Sequence, residues 1–116
     1  MNQEEFIEII KLLVRDASLE GVEKNWSNPP GRAPRKELVE ISNWYNNLDE
    51  SNRSKLLLAV NDAVHHSIFS FLTILDDVTK STEKEGHYEL YFVTPDKKYL
   101  LNDPNEEYLH DIYNSL

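Results

Sequence analysis

The stretch from Ser51 to Val78 limits what this chain can fold into more than any other part of it. At about 100° per residue, Leu57, Val60, Val64, Ile68, Phe71, Leu75 and Val78 fall on one stripe. Leu56, Ala63, Ser67 and Ile74 widen that stripe on one side, and Leu58, Phe69 and Leu72 on the other. Only Asp62, His66, Ser70, Thr73 and Asp77 remain as a narrow polar strip. The spacing therefore predicts a central helix over 51–78 that is covered on most of its circumference, roughly 40 Å long at about 1.5 Å per residue. A run this apolar also invites a membrane reading. Asn61, Asp62, His65 and His66 interrupt it, and Asp76 and Asp77 close it, so no unbroken window of about 18 apolar residues exists and no membrane span is expected.

Around this spine the other elements follow from local signals. Asn2 with Glu5 forms a capping-box pattern, and Phe6, Ile10, Leu13 and Ala17 continue at helical spacing, which predicts a first helix over 3–18 with Gly21 helping to stop it. The segment from Val22 to Ala33, with Asn28-Pro29-Pro30-Gly31, reads as a loop that Trp26 pins to the core. Pro34 suits the first turn of a second helix whose apolar stripe is Leu38, Ile41, Tyr45 and Leu48. Asp49 and Ser51 are alternative N-caps for the central helix, and so short a connection favours antiparallel neighbours.

Beyond Val78 the period changes. His87 to Val93, the turn Thr94-Pro95-Asp96-Lys97 and Lys98 to Leu101 predict a β-hairpin over 87–101, which needs the helices for support. Asp103-Pro104-Asn105-Glu106 then offers an N-cap, a first-position proline and an acidic residue three positions on, followed by Leu109, Ile112, Tyr113 and Leu116. This predicts a C-terminal helix over 104–114. The expected fold class is α+β and mainly helical: about four helices around the central one, with one hairpin packed on them, in a single globular domain over 1–116.

Charge narrows the function classes. The chain has 116 residues, 21 acidic and 12 basic, for a formal net charge of −9. That argues against nucleic-acid binding, which needs clustered Lys and Arg, and is compatible with a basic protein partner. The one notable basic cluster, Arg32, Arg35 and Lys36, stands beside Glu37 and Glu40 and reads as ordinary loop charge. With no cysteine there is neither a disulfide framework nor thiolate chemistry. The start MNQEEFIEII carries acids where a secretory leader needs a positive region, so the expected compartment is the cytoplasm.

No catalytic motif stands out. Gly21, Gly31 and Gly86 are isolated, so there is no phosphate-binding glycine loop. His65 and His66 are adjacent and point about 100° apart on a helix. Asp62 and His66 share a face, as an i,i+4 polar pair or as half of a metal or acid–base site. Asn61, His65 and Asp76 flank the other edge of the stripe, as half-buried hydrogen-bonding groups or as the lining of a pocket. Neither set is complete, so no cofactor or metal is expected and the chain is read as a non-enzyme.

The segments Trp44-Tyr45-Asn46-Asn47-Leu48, Phe71-Leu72-Thr73-Ile74-Leu75-Asp76, Leu101-Asn102-Asp103 and Leu109-His110-Asp111 resemble the small acidic immunity or accessory proteins that accompany polymorphic bacterial toxins. The resemblance covers the last two-thirds of the chain and transfers no site residues. It implies a small bacterial immunity or accessory protein. The −9 charge, the compact size, the aromatic hairpin and the absence of catalytic motifs lead to the expectation of a protein-binding module, most concretely an inhibitor of a basic toxin or nuclease. The groups expected to meet such a partner are Glu83, Glu85, Glu89, Tyr91, Glu106 and Glu107. Two other classes compete: a small-ligand binder or enzyme with its site near His65 and Asp76 or at Asp62 and His66, and a structural subunit of a homo-oligomer, for which an unpaired hairpin edge offers a route to a homodimer.

Overall fold

The computed structural model describes residues 1–115. Leu116, placed by spacing on the last helical stripe, lies outside the described residues. The fold is α+β and mainly helical. Its elements are α1 (Gln3–Ile10), a π-helical segment (Lys11–Asp16), α2 (Ala17–Ser27), α3 (Lys36–Asn46), α4 (Glu50–Leu75), β1 (Tyr91–Val93), β2 (Lys98–Leu100) and α5 (Leu109–Ser115).

The first helix begins as its sequence dictates. Asn2 accepts from the Glu5 backbone N–H at 2.8 Å, and the Asn2 N–H donates to the Glu5 carboxylate at 3.0 Å. It does not stop near Gly21. The chain turns through the π segment, where the Ala17 N–H reaches back to the Leu12 carbonyl, and runs on as α2 to Ser27. Gly21 lies inside α2 with open space around it, so it costs helix propensity without terminating anything. Trp26 is therefore helical, and its ring sits 5.8 Å from that of Tyr45.

α3 starts at Lys36, two residues after Pro34, and packs on α2 rather than antiparallel along α4. Arg53 of α4 explains the turn between them. Its guanidinium donates to the Leu48 and Asn46 carbonyls at 3.0 Å each and lies over the Tyr45 ring, so a cation satisfies the free carbonyl end of α3. Asp49 is the N-cap of α4, accepting from the Asn52 N–H at 2.7 Å.

α4 ends earlier than the stripe predicts. Asp76 is its C-cap and Asp77 takes the left-handed conformation (φ 61°), while the Val78 and Thr79 N–H groups both return to the Thr73 carbonyl. Nor is the helix covered on most of its circumference, as expected from its apolar content: only Leu72 and Thr73 are buried, and Leu58 and Phe71 stand 68% and 60% exposed. The core lies at one end of the molecule, where Ile7, Leu72, Leu109, Ile112 and Tyr113 pack together with Phe6, Ile68, Phe69 and Leu75 around them.

The hairpin pairs Tyr91 with Leu100, Phe92 with Tyr99 and Val93 with Lys98, antiparallel and shorter than expected. Its base is tied down by the buried Asn102, which accepts from the Leu90 N–H at 2.9 Å and donates to the Leu75 and Tyr88 carbonyls at 2.7 and 2.8 Å. One amide side chain thus joins the end of α4 to both sides of the hairpin.

The expectation that the last helix starts at Pro104 is corrected. Asp103 spends its carboxylate on the Asn105 N–H in a tight turn, with the Glu106 N–H on its carbonyl, and helix begins only at Leu109.

Candidate functional site

The six groups expected to meet a partner are all exposed, and they fall into separate places. Glu83, Glu85 and Glu89 belong to the segment between Asp77 and β1. Glu85 lines a hollow together with Lys80, Lys84 and His87, so its charge is partly offset by neighbours. Glu89 accepts from the Tyr91 hydroxyl at 3.0 Å, which engages both of those residues with each other and raises the Tyr91 pKa.

Glu106 and Glu107 are placed differently. The turn before α5 brings them against the start of α1, where they line one groove with Asn2, Gln3 and Glu4. An adjoining groove gathers Glu5, Asp103 and Glu106, with Lys98 as its cation. Five carboxylates thus rim one end of the molecule: Glu4, Glu5, Asp103, Glu106 and Glu107. Sequence reasoning missed Glu4 and Glu5 as part of this surface because they serve so plainly as first-turn acids of α1. Only the docking of α5 against α1 brings the two segments together.

The histidine pairs do not assemble as expected. His65 and Asp76 are eleven positions apart on one helix axis, about 16 Å of rise. Asp76 instead meets α5: its carboxylate accepts from the Leu109 N–H at 3.1 Å, the His110 N–H at 2.9 Å and His110 Nδ1 at 2.6 Å. Because the carboxylate already serves as acceptor for two backbone donors, Nδ1 is the protonated ring nitrogen. His110 is buried between Phe69, edge-on at 5.6 Å, and Tyr108, stacked at 5.4 Å. This constellation resembles a catalytic dyad in composition, but it caps the N-terminus of a helix.

His65 stacks on Tyr113 at 4.5 Å, with Nε2 3.4 Å from Asn114 Oδ1. The Lys11 ammonium also stands over the Tyr113 ring, 5.3 Å from its centroid. Burial pushes the Lys11 pKa down, and the nearby Arg15 charge adds to that, while Asp16 opposes it. His65 also joins Asn61, Asp62 and the Arg15–Asp16 ion pair (2.9 Å) at a mixed polar cleft. Asp62 and His66 are both on the exposed surface. Among the described residues no three His, Asp or Glu side chains are placed to hold a metal ion.

An apolar groove lies between α1 and α4, with Phe6, Ile10 and Val14 on one wall and Ile68, Phe71 and Leu75 on the other. Its volume is about 410 Å3 and none of its lining residues is charged. No protein-family model, characterised protein or solved structure matches this chain.

Proposed function

We propose that this chain is a cytoplasmic protein-binding module that engages a basic protein surface, in the manner of an immunity-type inhibitor of a bacterial toxin or nuclease. The observation that carries the reading is the convergence of Glu4, Glu5, Asp103, Glu106 and Glu107 from sequence-distant segments onto one end of a molecule whose net charge is −9. Opposite charge on a partner raises the association rate and aligns the encounter. The resemblance of Leu101-Asn102-Asp103 and Leu109-His110-Asp111 to the immunity-type proteins falls around this same end. The reading is of a binder rather than an enzyme, and the roles of the histidines support it: His110 is occupied with the α5 cap and His65 with Tyr113.

The test uses the purified product of the neighbouring open reading frame as probe. Calorimetry should give a 1:1 complex per chain, and Glu106→Lys with Glu107→Lys should weaken it at least tenfold, chiefly by slowing association. A complex indifferent to that reversal, or no complex with a basic neighbouring gene product, would refute the proposal.

A further inference from the structure

Only part of the apolar stripe that the sequence marks on the first helical stretch packs inward: Phe6 lies against the core, while the stripe's later residues do not. Ile7 is fully buried, Lys11 is buried with its ammonium over the Tyr113 ring, and Gln3 is half-buried, so the docking line runs Gln3, Ile7, Lys11. Apolar residues at the end of α1 and in the π segment that continues it are turned out: Leu12 and Leu13 are 63% and 64% exposed, and Ile9 at the end of α1 is exposed as well. Next to this ridge runs the groove walled by Phe6, Ile10 and Val14 and, across it, Ile68, Phe71 and Leu75. Ser67 in the groove turns its hydroxyl back to the Ala63 carbonyl at 2.8 Å and so presents no free donor. The groove lining holds no charged residue, unlike the acidic rim.

The size of the molecule says how much cover is missing. A compact chain of this length has a radius of gyration of about 13 Å, whereas the Cα radius here is 18.2 Å, with extents of 50 × 31 × 30 Å. It exposes 8517 Å2, about 1,900 Å2 more than the roughly 6,600 Å2 of a folded monomer of its mass. Obligate homodimers bury about 1,000–2,500 Å2 per chain, so the excess is what one such interface removes.

From this we infer that a second copy of the chain covers the α1–α4 face, as an isologous homodimer. A two-fold interface must be self-complementary, and this face carries both parts: the Ile9–Leu13 ridge of one copy seats in the partner's groove, and the reverse contact follows by symmetry. The absence of charge in the groove separates this occupant from a basic partner. A lipid surface is the competing occupant, since α4 is long and apolar enough to cross a bilayer. The acidic charge disfavours adsorption to anionic membranes.

Sedimentation equilibrium of the full chain tests this. Wild type should show twice the chain mass, and Leu13→Glu and Phe71→Glu should each weaken self-association at least ~100-fold. Both side chains are exposed in the single chain, so far-UV circular dichroism of the variants should match wild type. Leu58→Glu, equally exposed but on the polar cleft, should leave the dimer intact, as should Glu106→Lys with Glu107→Lys. Wild type that stays monomeric to roughly 100 µM, a Leu13→Glu or Phe71→Glu variant that keeps the dimer mass, or a monomer that instead floats with neutral phosphatidylcholine vesicles would each overturn the inference.

Discussion

Tyr113 is fully buried, yet it is ringed by polar chemistry: the Lys11 ammonium over its ring, His65 stacked on it, and the Arg15–Asp16 pair near its hydroxyl. Burial raises its phenol above the ordinary value of 10.0, Arg15 pulls it back, and Asp16 adds to the rise. Above pH 10.0 the unfolded chain releases a proton that the folded chain still holds. The native state then binds more protons, so stability falls as pH rises through that window. The lowered Lys11 value acts in the opposite sense, since the unfolded chain keeps that proton longer and stability rises toward pH 10.5. Tyr91 is also raised, by its hydrogen bond to Glu89, but it lies on the surface and solvent weakens its leverage. Tyr113→Phe should therefore remove most of the loss of urea resistance between about pH 9.5 and 11. A variant whose midpoint falls as steeply as wild type over that range would show that the alkaline limb has another source.

At the scale of elements, α5 shows how a non-local group can displace a local signal. Asp103-Pro104-Asn105-Glu106 has the composition of a helix start, but the Asp103 carboxylate closes a turn and the helix waits until Leu109. There Asp76, 33 residues earlier in sequence, caps the first N–H groups and fixes the His110 ring. Removing a buried charge that accepts three hydrogen bonds costs about 2–5 kcal/mol. Asp76→Ala should lose that much in urea denaturation, with the earliest amide exchange at Leu109 and His110. A loss under about 1 kcal/mol would mean that water or Asp103 takes over the cap. What was legible in sequence is local: the Asn2–Glu5 box, the Asp49 cap, the length of α4, and the turn between β1 and β2. What was not legible is which apolar stripe docks. Phe6, Ile10 and Leu13 form the better stripe in sequence, but Ile7 is the residue that enters the core with Leu109, Ile112 and Tyr113, Lys11 follows it with its ammonium over the Tyr113 ring, and Leu13 is left outside. Likewise the sequence marks Glu106 and Glu107 as partner-facing, while their neighbours Glu4 and Glu5 emerge only once α5 packs on α1.

For the whole molecule, two surfaces of opposite character share one elongated frame, and salt separates them. On the proposed function the acidic rim would meet a basic partner through opposite charges, which salt screens over about 10 Å at 0.1 M ionic strength. In the inferred homodimer the α1–α4 face would bring together two chains that each carry −9, so the long-range term there would be repulsive while the groove itself holds no charge. Screening therefore acts with opposite sign on the two associations. Raising sodium chloride from about 0.05 to 0.5 M should weaken the heterologous complex, mostly in its association rate, and strengthen the homodimer. The measurement pairs stopped-flow association with the neighbouring gene product and sedimentation of the chain alone across the same salt series. If self-association weakened with salt in parallel with the complex, acidic and basic groups would be holding the copies together. The interface would then lie away from Leu13 and Phe71. If it strengthened while the complex weakened, the apolar face and the acidic rim would be acting as independent contacts, one building the dimer and the other presented twice on it.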